Sequence, residues 1–251
     1  MTSLSYQLYS SRNHGPMAAT LSMLADLGYG QVEGFGGLYP DLAHAEALAA
    51  DLNAAGLAMT TGHIGIDELE GDPETTVAIA KALGMEAMFV PFLMPEDRPT
   101  DAAGWRAFGA RLSAAGKPLK AAGIAFGYHN HDFEFLTTPT GEIPMGLILD
   151  AAPDLYWEND VAWIVRGGGD PMEWITRYGD RMLATHVKDI APAGDCEDED
   201  GWSDVGHGTM DWAGLMTACR KTPAKFYVME HDKPSDDRRF ASRSIAAASA
   251  Y

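Results

Sequence analysis

Eight short apolar runs alternate with eight longer stretches of helical period, and no other feature constrains the fold of this chain as tightly. The runs fall at Leu4–Tyr9, Gln31–Phe35, Ala58–His63, Ala87–Pro91, Ile124–His131, Leu155–Val161, Met182–Val187 and Phe226–Glu230. Helical patterns occupy 16–28, 41–55, 67–84, 101–122, 142–151, 171–178, 210–220 and 234–249. Local signals agree with these limits. Pro40-Asp41 precedes a segment rich in Ala and Leu, Gly123 follows Ala121-Ala122, and Asp170-Pro171 pairs an N-cap with Pro at the first helical position. Strands separated by helices pair in parallel, because tight hairpins cannot join parallel neighbours. Eight such units in 251 residues match a (β/α)₈ TIM barrel, an α/β fold. The rival, a doubly wound open sheet, normally carries a glycine-rich phosphate turn after an early strand. Tyr9-Ser10-Ser11-Arg12-Asn13-His14 is no such turn, and Gly34-Phe35-Gly36-Gly37 lacks the dinucleotide spacing. No linker or change of composition marks a second domain, so one barrel over residues 1–251 is expected.

Charge narrows the function. Acidic residues outnumber basic ones 36 to 18, and a formal charge of -18 repels phosphate backbones, which argues against a nucleic-acid partner. No apolar run approaches the roughly 20 residues of a membrane span. The start, Met1 to Tyr6, has no basic region leading into an apolar stretch. Two cysteines, Cys196 and Cys219, without metal-site spacing fit unpaired thiols in a reducing compartment, so a cytoplasmic location is expected. The partner expected is a small molecule, and homo-oligomerisation is left open.

In parallel barrels the strand C-termini and the following loops build the active site. Here strand five closes with Tyr128-His129-Asn130-His131-Asp132-Phe133-Glu134-Phe135, strand six with Trp157-Glu158-Asn159-Asp160, strand seven with Thr185-His186-Val187-Lys188-Asp189, and strand eight with Met229-Glu230-His231-Asp232. Strand three adds His63. Alternate residues of a strand face one side, so Glu158 goes with Asp160, His129 with His131, and His186 with Lys188. If Asp160, His186 and Glu230 face inward, three ligands meet above the barrel. Oxygen ligands with one imidazole suit Mn²⁺, Mg²⁺ or Co²⁺, with Zn²⁺ as a further candidate. Glu158, Asp189 and Asp232 are candidates for orienting those ligands. A single strand-end Asp is more often a helix N-cap than a ligand, and the run Asp195–Asp200 reads as a solvated loop. The recurrence at equivalent positions on successive strands is what points to a site.

The segment from Tyr128 to Phe135 resembles the YHNHDFEF signature of one branch of the sugar phosphate isomerase/epimerase family, within the xylose isomerase-like TIM barrels. Asp160–Pro171 is similar to its DVYWVVRAGxDP segment, and Thr185–Asp189 to its LHLKD strand. Val205–Asp211 is similar to its VGEGxID loop, and Tyr6–Tyr9 to its QLYTLR start. The resemblance implies a divalent metal held by two Glu, one Asp and one His. Asp160, His186 and Glu230 fall on three of these positions. For the fourth, on strand five, either His129 replaces the carboxylate or Glu134 reaches back from the loop. Glu134 is expected, because it restores the set and because Phe133 and Phe135 can turn it toward the mouth. Trp163 stands where ketose 3-epimerases offer a substrate-binding His, and His207 where the VGEG loop has Glu. His63, Trp163, Arg166 and His207 are therefore assigned to substrate binding.

A metal bound to a carbonyl and its neighbouring hydroxyl acidifies the intervening C–H. Glu230, His131 and His129 are the candidate acid/base groups, and Lys188 is placed to hold an enediolate. Return of the proton gives an isomerase or epimerase of a ketose or keto-sugar, whereas loss of a β-substituent gives a lyase or dehydratase. A non-catalytic sugar-binding protein with a degenerate site is the third reading.

Overall fold

The computed structural model describes residues 4–251, so Met1, Thr2 and Ser3 of the N-terminal stretch lie outside the described residues. Among the described residues there are ten strands: β1 (Leu4–Gln7), β2 (Gln31–Gly34), β3 (Ala58–His63), β4 (Ala87–Val90), β5 (Ala125–His129), β6 (Tyr156–Asp160), β7 (Met182–Val187), β8 (Asp189–Ile190), β9 (Trp202–Ser203) and β10 (Phe226–Met229). Eight of them close a parallel barrel in the order β1-β10-β7-β6-β5-β4-β3-β2, and β8 and β9 form a separate antiparallel pair. Strict alternation thus produced the expected barrel, with all eight predicted strands in place. The β8/β9 pair was not predicted, since two residues per strand are too few to show a period.

Helices fill the crossovers and seal the barrel's outer face. Asp41 caps Leu42–Ala55 by accepting from the His44 amide at 2.9 Å, and Asp170 caps Pro171–Tyr178 through the Met172 amide. Two of the predicted helices are each split in two. The stretch 67–84 becomes Ile66–Gly71 and Pro73–Leu83, because Pro73 lacks an amide and Asp72 caps a fresh helix. The stretch 101–122 becomes Ala102–Ala115 and Lys117–Ala121, where Pro118 again removes a donor. One short helix, Val161–Arg166, was missed, and it begins directly at the end of β6. The acidic run is only partly solvated. Glu199 is buried, accepts from the Ser235 amide at 2.6 Å and pairs with Arg239 at 2.8 Å, tying this loop to the C-terminal helix.

The lower barrel interior is apolar. Ala87, Phe89, Ala184, Phe226 and Val228 form a cluster separate from the main core between barrel and helices. Gly127 on β5 is fixed by that packing, since a Cβ there would stand 2.6 Å from both the Phe89 ring and the Tyr156 carbonyl oxygen. Above this plug the interior turns polar and fully buried. Register shifts interrupt two strand pairs, β2/β3 between Val32 and Glu33, and β6/β7 between Trp157 and Glu158. Such bulges re-aim side chains next to active sites, and here each is followed by a buried inward carboxylate.

Candidate active site

Two polar layers crown the apolar plug. The inner one holds Gln7, Glu33, His63, His129, Glu158 and His186, each at most 7% exposed. The Gln7 amide donates to Glu33 Oε1 at 2.8 Å, and His186 Nε2 lies 2.6 Å from the same oxygen. Glu158 Oε2 faces three imidazoles: His63 Nε2 at 2.7 Å, His129 Nδ1 at 3.3 Å and His186 Nε2 at 3.5 Å. The outer layer holds Asp160, Lys188, Glu230, Asp232 and His131. His186 spans the two, because its Nδ1 lies 3.2 Å from Glu230 Oε2 and 3.9 Å from Asp160 Oδ2. A cavity of about 430 Å³ opens over both, lined by His63, His129, His131, Glu230 and Asp232 on its polar side and by Tyr9, Phe35 and Phe92 on its apolar side.

Asp160 is a helix N-cap through one oxygen and leaves the other free. Its Oδ1 accepts from the Trp163 amide at 2.9 Å and caps Val161–Arg166, while Oδ2 is buried without a hydrogen-bond donor. The three atoms Asp160 Oδ2, His186 Nδ1 and Glu230 Oε2 sit close enough to share one ion. Two carboxylates and one imidazole, with an orphaned buried oxygen among them, fit a divalent cation that keeps open positions for other oxygens. The Lys188 ammonium faces the same group, 3.1 Å from Glu230 Oε2 and 3.8 Å from Asp160 Oδ2, and it also pairs with Asp232.

Glu134 does not join this group, which corrects the expectation of a fourth ligand. Phe133 and Phe135 are buried as foreseen, but the carboxylate between them is taken up by other partners. One oxygen accepts from the Tyr128 hydroxyl at 2.5 Å and the other from the His131 amide at 2.8 Å. Nor does His129 stand level with Asp160: it pairs in register with Glu158, one layer lower. His207 is exposed and lines a separate cavity with Arg239 and Arg243, away from the mouth. Arg166 stacks on Trp202 and donates to the Asp200 carbonyl at 2.7 Å, so it is committed to the loop beside the mouth rather than to the cavity wall. His63 does line the cavity. Trp163 stands beside it, its ring 5.2 Å from that of His131 and 4.7 Å from Lys188 Nζ, with a buried indole nitrogen lacking an acceptor. Asp189 orients no ligand. It accepts from the amides of Ile190, Gly206, Gly208 and Met210 and so shapes the 204–210 loop.

Burial and charge set the protonation pattern. Burial pushes His129 down to about 3 and takes His131 well below the usual imidazole range, with each other's proximity adding to the effect on His131. Both are neutral near pH 7. Burial opposes charge on His186 and Lys188 as well, but Glu158 and Glu33 outweigh it at His186, and Asp232, Glu230 and Asp160 at Lys188. Burial would raise Glu230, yet Lys188 and His186 hold it well below the carboxylate range. Glu33, missed in the sequence, is raised by burial and by Glu158.

No protein-family model matches the chain, and no curated protein is significantly similar to it. Solved structures are. A sugar phosphate isomerase/epimerase from Parabacteroides distasonis superposes with a TM-score of 0.82 at 23% identity, covering 98% of this chain and 93% of that one. The probable 3-DHS dehydratase AsbF of Bacillus anthracis gives 0.74 at 14% identity over 98% of each chain. The IOLI protein, solved with a zinc atom bound, gives 0.75 at 14% identity over 99% of this chain and 95% of its own. With a xylose isomerase domain protein from Planctomyces limnophilus also similar, at a TM-score of 0.70, the closed parallel barrel described above has the fold of the xylose isomerase-like TIM barrels.

Proposed function

We propose that this chain is a divalent-metal-dependent isomerase or epimerase of a ketose or keto-sugar, working by proton transfer through an enediolate. One observation carries the reading: Asp160 Oδ2, His186 Nδ1 and Glu230 Oε2 converge, with Asp160 Oδ2 orphaned, under a cavity flanked by a neutral imidazole. A bound Mn²⁺, Mg²⁺, Co²⁺ or Zn²⁺ would supply Lewis acidity to a substrate carbonyl. His131, neutral and with an unpartnered Nδ1 at the cavity wall, is the group to take a proton from carbon. Lys188 keeps its charge and so offsets negative charge building on the substrate oxygens at the mouth. Trp163 and Phe92 exclude water on either side of His131. Among the described residues no helix is long and apolar enough to cross a membrane.

The test is exchange of substrate C–H for solvent deuterium across a panel of ketoses and keto-glycosides, with Mn²⁺ added. Deuterium should enter both substrate and product, and Asp160→Asn should lose metal and exchange together. Undiminished exchange in metal-free protein would refute the reading, and an unsaturated product without exchange would make the enzyme a lyase.

A further inference from the structure

Below the mouth lies a second group of donors that the proposed reaction leaves unused. We propose that His63 Nε2, His129 Nδ1 and Glu158 Oε2, closed by His186 Nε2, form a second metal site, inside the barrel and selective for Zn²⁺ or Co²⁺. All of its donor atoms lie within 4.8 Å of one another. Zinc–ligand bonds of about 2.0–2.1 Å in a tetrahedron put neighbouring donors about 3.4 Å apart. From Glu158 Oε2 the observed separations are 3.3 Å to His129 and 3.5 Å to His186, with His63 at 2.7 Å. The His63–Glu158 pair and the 2.6 Å contact between His186 Nε2 and Glu33 Oε1 have to open for an ion to enter.

Three further observations favour a cation there. Glu158 Oε1 and Glu33 Oε2 are buried without partners, as is His129 Nδ1, so the layer's polar groups are not satisfied by one another. Orphaned buried polar atoms cost about 1–3 kcal/mol each and persist for a reason. Glu33 Oε1 stands 3.3 Å from His63 Nε2 and 2.6 Å from His186 Nε2, placing a second carboxylate against the site and matching the charge of a divalent ion. Finally, the two strand bulges sit directly before Glu33 and Glu158, the two carboxylates this layer needs. The donor set also differs in kind from that of the mouth. Three imidazoles and one carboxylate suit Zn²⁺ or Co²⁺ over Mg²⁺, whereas two carboxylates and one imidazole suit harder ions. His186 presents Nδ1 to the mouth group and Nε2 to this one. With both sites filled the ring is a bridging imidazolate, its last N–H proton passing to solvent as the second ion binds. Loss of the mouth site leaves the ring free to serve the inner site as an ordinary neutral ligand.

The experiment is metal stoichiometry by mass spectrometry on chelator-stripped protein reloaded with Co²⁺, read together with the visible spectrum. Wild type should take up two equivalents, Asp160→Asn one, and the Asp160→Asn/Glu158→Gln double variant none. Asp160→Asn should keep the intense visible bands of four-coordinate Co²⁺, and His63→Gln should lose them while keeping one equivalent. Circular dichroism confirms that each variant is folded. A folded Asp160→Asn protein without metal overturns the inner site and leaves the mouth site standing. An Asp160→Asn protein with two equivalents does the reverse, retaining the inner site and refuting the mouth assignment. One equivalent surviving in the folded double variant would also overturn the proposal.

Discussion

Glu134→Gln separates a ligand from a structural carboxyl. Burial pushes the Glu134 carboxyl up to about 8, and its two oxygens face the Tyr128 hydroxyl and the His131 amide. In the structure the Tyr128 hydroxyl donates to the carboxylate; on protonation that hydroxyl turns about its C–O bond to accept the acid O–H, while the carbonyl oxygen keeps the His131 amide. Glutamine copies that pattern, its NH₂ replacing the acid O–H, so the substitution should cost little near pH 5.5. The pH dependence then carries the sign. An unfolded glutamate loses its proton near 4.3, whereas the folded one holds it to about 8. Between these values the native state binds more protons than the unfolded one, so wild-type stability falls as pH rises through the window. From about pH 5.5 to pH 8 the loss amounts to about 3 kcal/mol, at 1.36 kcal/mol per unit with allowance for partial ionisation at each end.

Glu134→Gln has no such proton to release. Urea unfolding at a series of pH values should therefore show the variant gaining on wild type by about that amount towards pH 8, with metal content unchanged. A variant that lost metal, or that tracked wild type at a constant offset, would refute this account of the residue.

Two further substitutions probe the packing around the site. Lys188→Met removes the only ammonium facing Asp160, Glu230 and Asp232 among the described residues, so metal-free protein should lose roughly 3–5 kcal/mol of stability. Thermal melts should show Mn²⁺ recovering part of that loss, and an identical deficit with and without Mn²⁺ would count against a cation at those oxygens. Gly127→Ala places a Cβ 2.6 Å from Phe89 and from the Tyr156 carbonyl oxygen, and denaturation should register a cost of about 1–3 kcal/mol. A neutral outcome would mean that the lower barrel plug is looser than drawn.

The barrel was legible because its signal is long-range and repeated. Eight alternations leave few topologies, and a one-residue error at a strand end, as at Phe35 or Pro91, changes nothing. Breaks inside the helical stretches were less visible because hydrophobic period survives across a Pro-interrupted turn. The mouth was legible for a related reason: Asp160, His186 and Glu230 each lie within one residue of a strand's C-terminal end, and neighbouring parallel strands bring their ends together whatever the loops do. Glu134 failed the same reasoning because it lies beyond the strand. Charge balance favoured turning it toward an ion, but the side chains of Phe133 and Phe135 pack under the loop, and the Tyr128 hydroxyl below them is a nearer partner than anything at the mouth.

Glu33 shows where such reading stops. Gln31-Val32-Glu33-Gly34 looks like a half-exposed strand with one buried valine, and by simple alternation Glu33 is an unremarkable acidic residue next to a glycine. Two facts outside the local pattern change its meaning. Closure of the barrel puts β2 across the interior from β7, so Glu33 meets His186, which lies 153 residues away in the chain. The bulge against β3, where Val32 pairs with Met59, then pairs Glu33 with Thr61 instead of Thr60 and aims the carboxylate at that ring. Neither fact has a signature within a few residues of position 33. A carboxylate that is unremarkable on its strand thus becomes half of the charge facing three imidazoles. Its burial without compensating donors for Oε2 is sustainable only if that layer is neutralised by protonated imidazoles or by an ion. The metal stoichiometry of the Asp160→Asn and Glu158→Gln proteins distinguishes these, because protons leave no Co²⁺ spectrum.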